Sequence, residues 1–280
     1  MNKLVFQSDF GLVDGAVSAM YGVAFQVNPD LKIFDLTHDI TPYNIFEASY
    51  RLVQTIEYWP TGTVFVSVVD PGVGSSRKSV VVELNNGQII VTPDNGTLTH
   101  VVNKYGIKSI YEISEVKHRR QNTSESYTFH GRDVYSFVGA KLASGDITLD
   151  QVGDKLPNES IVRLVLSPVE IIDQTIYGSI DILDVRFGSL WTNIAKQDFD
   201  KLGIKHLEKV ELTIYNNQTM VYQNMVTFGH SFSDVMFGAP IIYTNSLFCM
   251  AIAINQGNFA KAYNVGVGDN WRIEIRKNGN

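Results

Sequence analysis

The feature that most constrains this fold is a change in pattern near residue 167. Before it, short β-branched runs alternate with helical stripes; after it, strand follows strand. "KLVFQ" reads as a buried strand, and Asp14 can cap a helix carrying Ala16, Met20, Val23, Ala24 and Val27 on one face. "LKIFDL" is the next strand. "NIFEASYRLVQTIEYWP" is a helix: Asn44 and Glu47 resemble a capping box, Ile45, Ala48, Leu52 and Ile56 form a stripe, and Pro60 follows the end. "TVFVSVV", "SVVVEL" and "QIIVTP" are strands, and "TLTHVVNKYG" and "RDVYSFVGAKLASG" are helices stopped by glycine. Such alternation predicts an α/β domain over residues 1–166, with a mainly parallel sheet covered on both faces. Beyond it, "VEIID", "TIYGSIDILDV", "LWTNI", "KVELTIYNNQTMVYQ", "PIIYTN", "CMAIAI" and "NWRIEIR" predict a smaller antiparallel β domain over residues 167–280. "YNNQT" is its hairpin turn and "DFDKLGI" its one helical turn.

Charge and cysteine content exclude several function classes. The 23 basic residues against 29 acidic argue against a nucleic-acid partner. The only basic run, "KHRR" at 117–120, lies beside "QNTSES" and reads as a solvated loop. No stretch reaches the roughly 20 apolar residues of a membrane helix, and the apolar run after Met1 is too short for a signal peptide. The single cysteine, Cys249, forms no internal disulfide and reads as a buried thiol, so a cytoplasmic location is expected.

In a parallel α/β sheet, ligands bind beyond the carboxyl ends of the strands, and four polar clusters fall there. In "SDFGLVDG", Asp14 fits a capping role. Asp9, ahead of Gly11 and outside the helix, can accept both hydroxyls of a ribose, because an ionised carboxylate offers only acceptors. In "THDITPY", Tyr43 offers an aromatic wall, while His38 and Asp39 form a metal-like pair that no nearby ligand completes. In "VVDPGVGSSRK", Asp70 ends a run too apolar for a surface edge, Gly72 and Gly74 allow a close backbone approach, and Arg77 follows. A charge so near a core is paired or functional. In "YTFHGRDVY", Tyr127, Phe129 and His130 precede a helix. Asp, Arg and His at three loop tips can hold and activate a water, with Asp and His accepting its proton and Arg stabilising the charge that develops.

"SDFG", "TPY", "VVDPGVGSSRK", "TPDNGTLT", "FHGRDVY" and "FGSLWTNI" occur in that order, and together they resemble the S-adenosylmethionine (SAM) hydroxide adenosyltransferase family, relatives of fluorinating and chlorinating enzymes. The resemblance spans nearly the whole chain. It implies an N-terminal α/β domain, a β-barrel-like C-terminal domain, and a homotrimer whose substrate lies between one subunit's first domain and its neighbour's second. It implies hydrolysis of SAM to adenosine and methionine by attack of water or hydroxide at ribose C5′, without metal or cofactor. By the same resemblance Asp70, Arg77 and His130 are catalytic. Asp9 takes the ribose, Tyr43 lies against ribose or adenine, and Asp14 and Phe129 are further substrate-binding residues. Asp184 meets the methionine ammonium, Trp191 and Phe228 are aromatic neighbours, Ser189 and Asn255 shape the adenine end, and Ser246 binds the carboxylate. The halogenating relatives carry asparagine at Ser189 and arginines at Leu247 and Ile254, so backbone amides are expected to grip the carboxylate here. The fluorinating branch has tyrosine at Asp70, tyrosine–serine at His130–Gly131, and an inserted loop this chain lacks. A carboxylate at Asp70 repels a halide and favours water. The competing readings are a halogenase and a non-catalytic SAM- or nucleoside-binding module.

Overall fold

The computed structural model describes residues 3–268 and 270–277. The chain divides into two compact units, Met1–Leu164 and Val165–Asn280.

The first unit contains β1 (Lys3–Ser8), α1 (Ala16–Val27), β2 (Lys32–Thr37), α2 (Ile45–Thr55), β3 (Val64–Val68), β4 (Ser79–Leu84), β5 (Ile89–Pro93), α3 (Thr99–Tyr105), β6 (Ile107–Glu112), α4 (Glu115–His118) and α5 (Phe137–Ser144). The strands form one six-stranded sheet in the order β2-β1-β3-β5-β4-β6. β1, β2, β3 and β5 run parallel, and β4 is antiparallel to both its neighbours. The continuous apolar runs are explained by burial on both faces. Leu4, Phe6, Val64 and Val66 enter one core cluster, and Val5, Phe65, Val80 and Val82 enter the other.

The strand order places the polar clusters. Ser8 pairs with Val68 and Gln7 with Thr37, so the carboxyl ends of β1, β2 and β3 reach one sheet edge together. β5 lies between β3 and β4, so the connection from Val69 to Lys78 must cross the end of β5. Asn95, just after β5, ties that crossing down by donating its amide to Val69 O at 2.9 Å. Ahead of α5 the helix begins with a π-helical turn, Gly131–Ser136, in which the Ser136 hydroxyl donates to Gly131 O at 2.7 Å.

Two local expectations are corrected. Asn44 accepts from Glu47 N at 2.9 Å, but the reciprocal half of the capping box is absent. Glu47 instead accepts from Thr41 N at 2.9 Å, because Tyr43 adopts a left-handed φ of 68° and folds the 41–44 turn so that Asn44 N donates to Thr41 O. The "KHRR" run is not a solvated loop. His118 is buried at the end of α4, and Arg119 turns inward, donating to Glu115, Thr123 O and Ser126 O. The i,i+4 spacing of Glu115 and Arg119 satisfies the cation inside the protein.

The second unit is a closed barrel. β8 (Thr175–Leu183), β9 (Leu190–Ala195), β10 (Lys209–Asn216), β11 (Thr219–Phe228), β12 (Pro240–Thr244), β13 (Cys249–Ile254) and β14 (Trp271–Lys277) form its ring, and pairing of β14 with β8 closes it. A short β7 (Glu170–Ile172) extends β8 at the edge. The pairings are antiparallel except for a brief parallel contact of β11 with β12. β8 alternates buried and half-buried residues along its length, as a strand with one face inward should. Ile176, Ile180, Leu190, Ile194, Leu212 and Ile214 fill the interior. "DFDKLGI" contributes the end of α6 (Lys196–Phe199) and the 3-10 turn Asp200–Leu202 that follows it. A second short helix, α7 (Phe259–Tyr263), is capped by Asn258, which accepts from Lys261 N at 2.8 Å.

Candidate active site

Asp70 leaves the end of β3 with only 5 % of its side chain exposed, and Arg77 returns across the loop to meet it. The contact is bidentate: Nε donates to Oδ1 at 2.8 Å and Nη2 to Oδ2 at 2.5 Å. That geometry matches a guanidinium to a carboxylate with two parallel bonds. Burial opposes the Arg77 charge, but the ionic hydrogen bonds to Asp70 outweigh it and raise the guanidinium above its ordinary value.

A second tier of polar groups surrounds the pair. Arg77 Nη1 donates to Ser79 Oγ at 2.9 Å. The Tyr135 hydroxyl lies 3.1 Å from the same oxygen and donates to Asp70 Oδ2 at 3.4 Å. Desolvation, with Asp70 nearby, pushes the Tyr135 phenol far up, so it stays a neutral donor. Ser79 Oγ also reaches Glu115 Oε1 at 3.5 Å, and Glu115 lies 3.4 Å from His130 Nε2. Asp70 and Arg77 therefore touch directly, while His130 joins them through Glu115 and Ser79.

His130 is 3 % exposed. Its Nε2 faces both Glu115 and Arg119, whose Nη2 is 3.2 Å away. Its Nδ1 is buried and has no protein partner. With the hydrogen on Nε2, directed at Glu115, Nδ1 is a bare acceptor. With Nε2 accepting from Arg119, Nδ1 carries the hydrogen. In both tautomers Nδ1 is the ring atom left for a small polar molecule.

The hydrogen bond to His130 holds the Glu115 carboxyl down at about 2, against desolvation and with help from Arg119. A folded value below the unfolded one means stability that is complete above the ordinary value near 4.5 and is lost as the pH falls toward about 2. Glu115→Gln should therefore flatten the acid limb of thermal stability between those limits, which melting curves across that range will read.

The other first-unit candidates sit on the same edge. Asp9 Oδ2 accepts from Tyr43 N at 2.8 Å, so the strained Tyr43 backbone steadies the carboxylate and leaves the 73 % exposed ring free. Asp14 spends Oδ1 on Ala16 N at 2.9 Å, at the start of α1. Phe129 meets Phe10 edge-on at 5.6 Å, and Arg132 lies over the Phe129 ring. A Cβ on Gly131 would stand 3.1 Å from Phe10, so the glycine lets the His130 segment close on the loop that carries Asp9. The metal-like pair is not assembled. His38 bonds Ser8 and Asp35 instead, and among the described residues no group of three or more His, Cys, Asp or Glu side chains is placed to hold a metal ion.

In the second unit, Asp184 and Ser189 close one tight loop: Asp184 N donates to Ser189 O at 2.9 Å and Gly188 N to Asp184 O at 2.7 Å. Burial raises the Tyr243 hydroxyl, Ser189 draws it back, and Asp184 adds to the rise, so Tyr243 belongs with Asp184 and Ser189. Trp191 Nε1 is buried without a hydrogen-bond partner. Phe228 is 3 % exposed and packs on Phe199 in the barrel core rather than lining a surface. Asn255 donates its amide to Val235 O at 2.9 Å and so shapes the 235–239 loop. Ser246 is exposed at the tip of the β12–β13 hairpin. The expected grip by backbone amides there is reduced: Leu247 N and Cys249 N donate to Asn245 Oδ1 and Phe248 N to Asn245 O. Sequence reasoning missed Ser79, Glu115, Arg119, Tyr135 and Tyr243. Only the Glu115–Arg119 spacing carried a signal.

Comparison with known proteins gives a consistent picture. Family models described as the SAM hydroxide adenosyltransferase N-terminal and C-terminal domains match residues 4–153 and 178–272. An (R)-S-adenosyl-L-methionine hydrolase of Methanocaldococcus jannaschii is 37% identical over 218 residues, which is 76% of this chain and 74% of that protein. A fluorinase of Nocardia brasiliensis is 28% identical, covering 97% of this chain and 96% of its own. The crystal structure of an uncharacterized conserved protein from Thermotoga maritima superposes with a TM-score of 0.89 at 33% identity, over 98% of this chain and 100% of the other.

Proposed function

The chain belongs to the SAM hydroxide adenosyltransferase family, and from that premise we propose that it hydrolyses SAM to adenosine and L-methionine. One observation carries the reading. A buried Asp70–Arg77 pair is linked through a polar network to His130, whose Nδ1 has no protein partner. That combination suits a water molecule. Asp70 or His130 Nδ1 accepts its proton, and Arg77 stabilises the hydroxide character that develops at the oxygen. The oxygen attacks ribose C5′ from behind, the C5′–S bond breaks, and its electron pair leaves on sulfur as neutral thioether. The sulfonium needs no acid to leave, so the reaction requires neither metal nor cofactor. Alignment of nucleophile and carbon supplies up to about 7–11 kcal/mol at best. Proton removal adds roughly a hundred- to ten-thousand-fold.

Asp9 holds the ribose hydroxyls and Tyr43 and Phe129 flank the sugar, with Asp14 at the margin. Asp184, Ser189, Trp191, Ser246 and Asn255, with Tyr243 added, serve the methionine and adenine ends. Phe228 supports them from the core. The active form is a homotrimer in which another copy supplies the second-unit residues, and it works in the cytoplasm. Among the described residues no helix is long and apolar enough to cross a membrane.

The test is incubation with each sulfonium epimer of SAM, with chloride or fluoride present in parallel. Adenosine and methionine in equal amounts are expected, and light scattering should report three copies. A 5′-halo-5′-deoxyadenosine product, or tight binding with no product over hours, would overturn the reading.

A further inference from the structure

Outside the catalytic cluster, a chain of hydrogen-bonded titratable and hydroxyl groups runs from the buried end of β1 out to Asp35 on β2, whose side chain is 44 % exposed. Ser8 Oγ lies 2.7 Å from His38 Nδ1, and His38 Nε2 lies 3.0 Å from Asp35 Oδ1. The Tyr21 hydroxyl donates to that same Asp35 oxygen. Ser8 is fully buried and His38 is 4 % exposed. The order serine–histidine–aspartate resembles that of a nucleophile, but a hydroxyl with no exposed surface reaches no substrate, so its work is internal.

What the chain holds is the backbone around Asp9. Ser8 precedes Asp9, and its hydroxyl oxygen also accepts from Phe10 N at 3.3 Å. Gly11 N donates to His38 O at 2.8 Å. His38 thus fixes the residue before Asp9 by its ring, the residue after it through Ser8, and the next by its own carbonyl. Donor chemistry sets the directions. An ionised Asp35 only accepts, so Nε2–H donates to it; Nδ1 is then a bare acceptor for the Ser8 hydroxyl, whose oxygen is left to accept from Phe10 N. Each bond completes the next, and the Asp9 carboxylate is held separately, its Oδ2 accepting from Tyr43 N at 2.8 Å.

We propose that His38 is a positioning residue that, through Ser8, holds Asp9 in register for the vicinal diol of the ribose. This rests on the assignment of Asp9 to the ribose under the proposed function, and it adds a residue that touches no substrate to the recognition of the sugar. The consequence is selective. Loosening the chain weakens the grip on the diol and leaves contacts to the rest of the ligand intact.

The test compares adenosine with 2′,3′-dideoxyadenosine by calorimetric titration of the wild-type protein, His38→Gln and Ser8→Ala. The wild type should prefer adenosine by about tenfold or more, the scale of a charge-assisted hydrogen-bond pair. Both variants should narrow that preference to about threefold or less while binding dideoxyadenosine like the wild type. A purely structural role would weaken both ligands alike. Ser8→Ala, a smaller change than loss of the imidazole, keeps the test open if His38→Gln misfolds. A wild type that binds neither nucleoside would overturn the functional reading and the proposal with it. A wild-type preference that survives in both folded variants would overturn the proposal alone.

Discussion

Asp70→Asn should lower turnover of SAM by about a hundred- to ten-thousand-fold, with the Michaelis constant changed only a few-fold. The amide keeps the shape of the carboxylate and still accepts from Arg77 Nε, where the native bond is 2.8 Å. What it loses is the capacity to take a proton and the charge that Arg77 faces. Because the side chain is 5 % exposed, bulk water is poorly placed to replace it as proton acceptor. Steady-state kinetics on the purified variant will separate the two constants. A wild-type rate would remove Asp70 from the reaction.

Arg77→Met should destabilise the fold by about 3–5 kcal/mol at neutral pH, because it strands the Asp70 carboxylate in a site that is largely closed to water. It also removes the donor to Ser79, the oxygen that Tyr135 and Glu115 share. In a domain of this size the loss amounts to a drop in melting temperature on the order of 10 °C. The double variant Asp70→Asn with Arg77→Met removes both charges. It should recover much of the stability and none of the turnover, and differential scanning calorimetry on the four proteins of this cycle measures the coupling. Additive losses in the double variant would show that the two side chains do not act as a pair.

Much of the fold was legible because periodicity reports burial. The runs around Val5, Val66 and Val81 are apolar on both faces of the sheet, and the alternation in β8 reports one face inward. The Asp70–Arg77 pair was legible for a related reason: a carboxylate at the end of such a run needs a partner. The rest depends on contacts that spacing does not encode. Tyr135 sits in an apolar stretch that reads as core, and only the reversal of β4 brings Ser79 under its hydroxyl. Arg119 belongs to a run of charges that reads as solvated, and only the fold shows it turned onto Glu115 and His130. The second-unit candidates divide likewise. Phe228 and Trp191 look alike as isolated aromatics, but the first is sealed against Phe199 and the second keeps an unpartnered nitrogen.

The wide turn at Gly131–Ser136 carries a consequence for how such chains can diverge. A π-helical turn holds one residue more than an α-helical turn, so deleting a residue there would relax it to regular helix and swing everything ahead of it by about 100° around the axis. The imidazole would then point away from Glu115. The side chain at 130 is therefore exchangeable during evolution, whereas the number of residues between Phe129 and Phe137 is not. Relatives that swap the chemistry at 130 should keep the length of this segment unchanged.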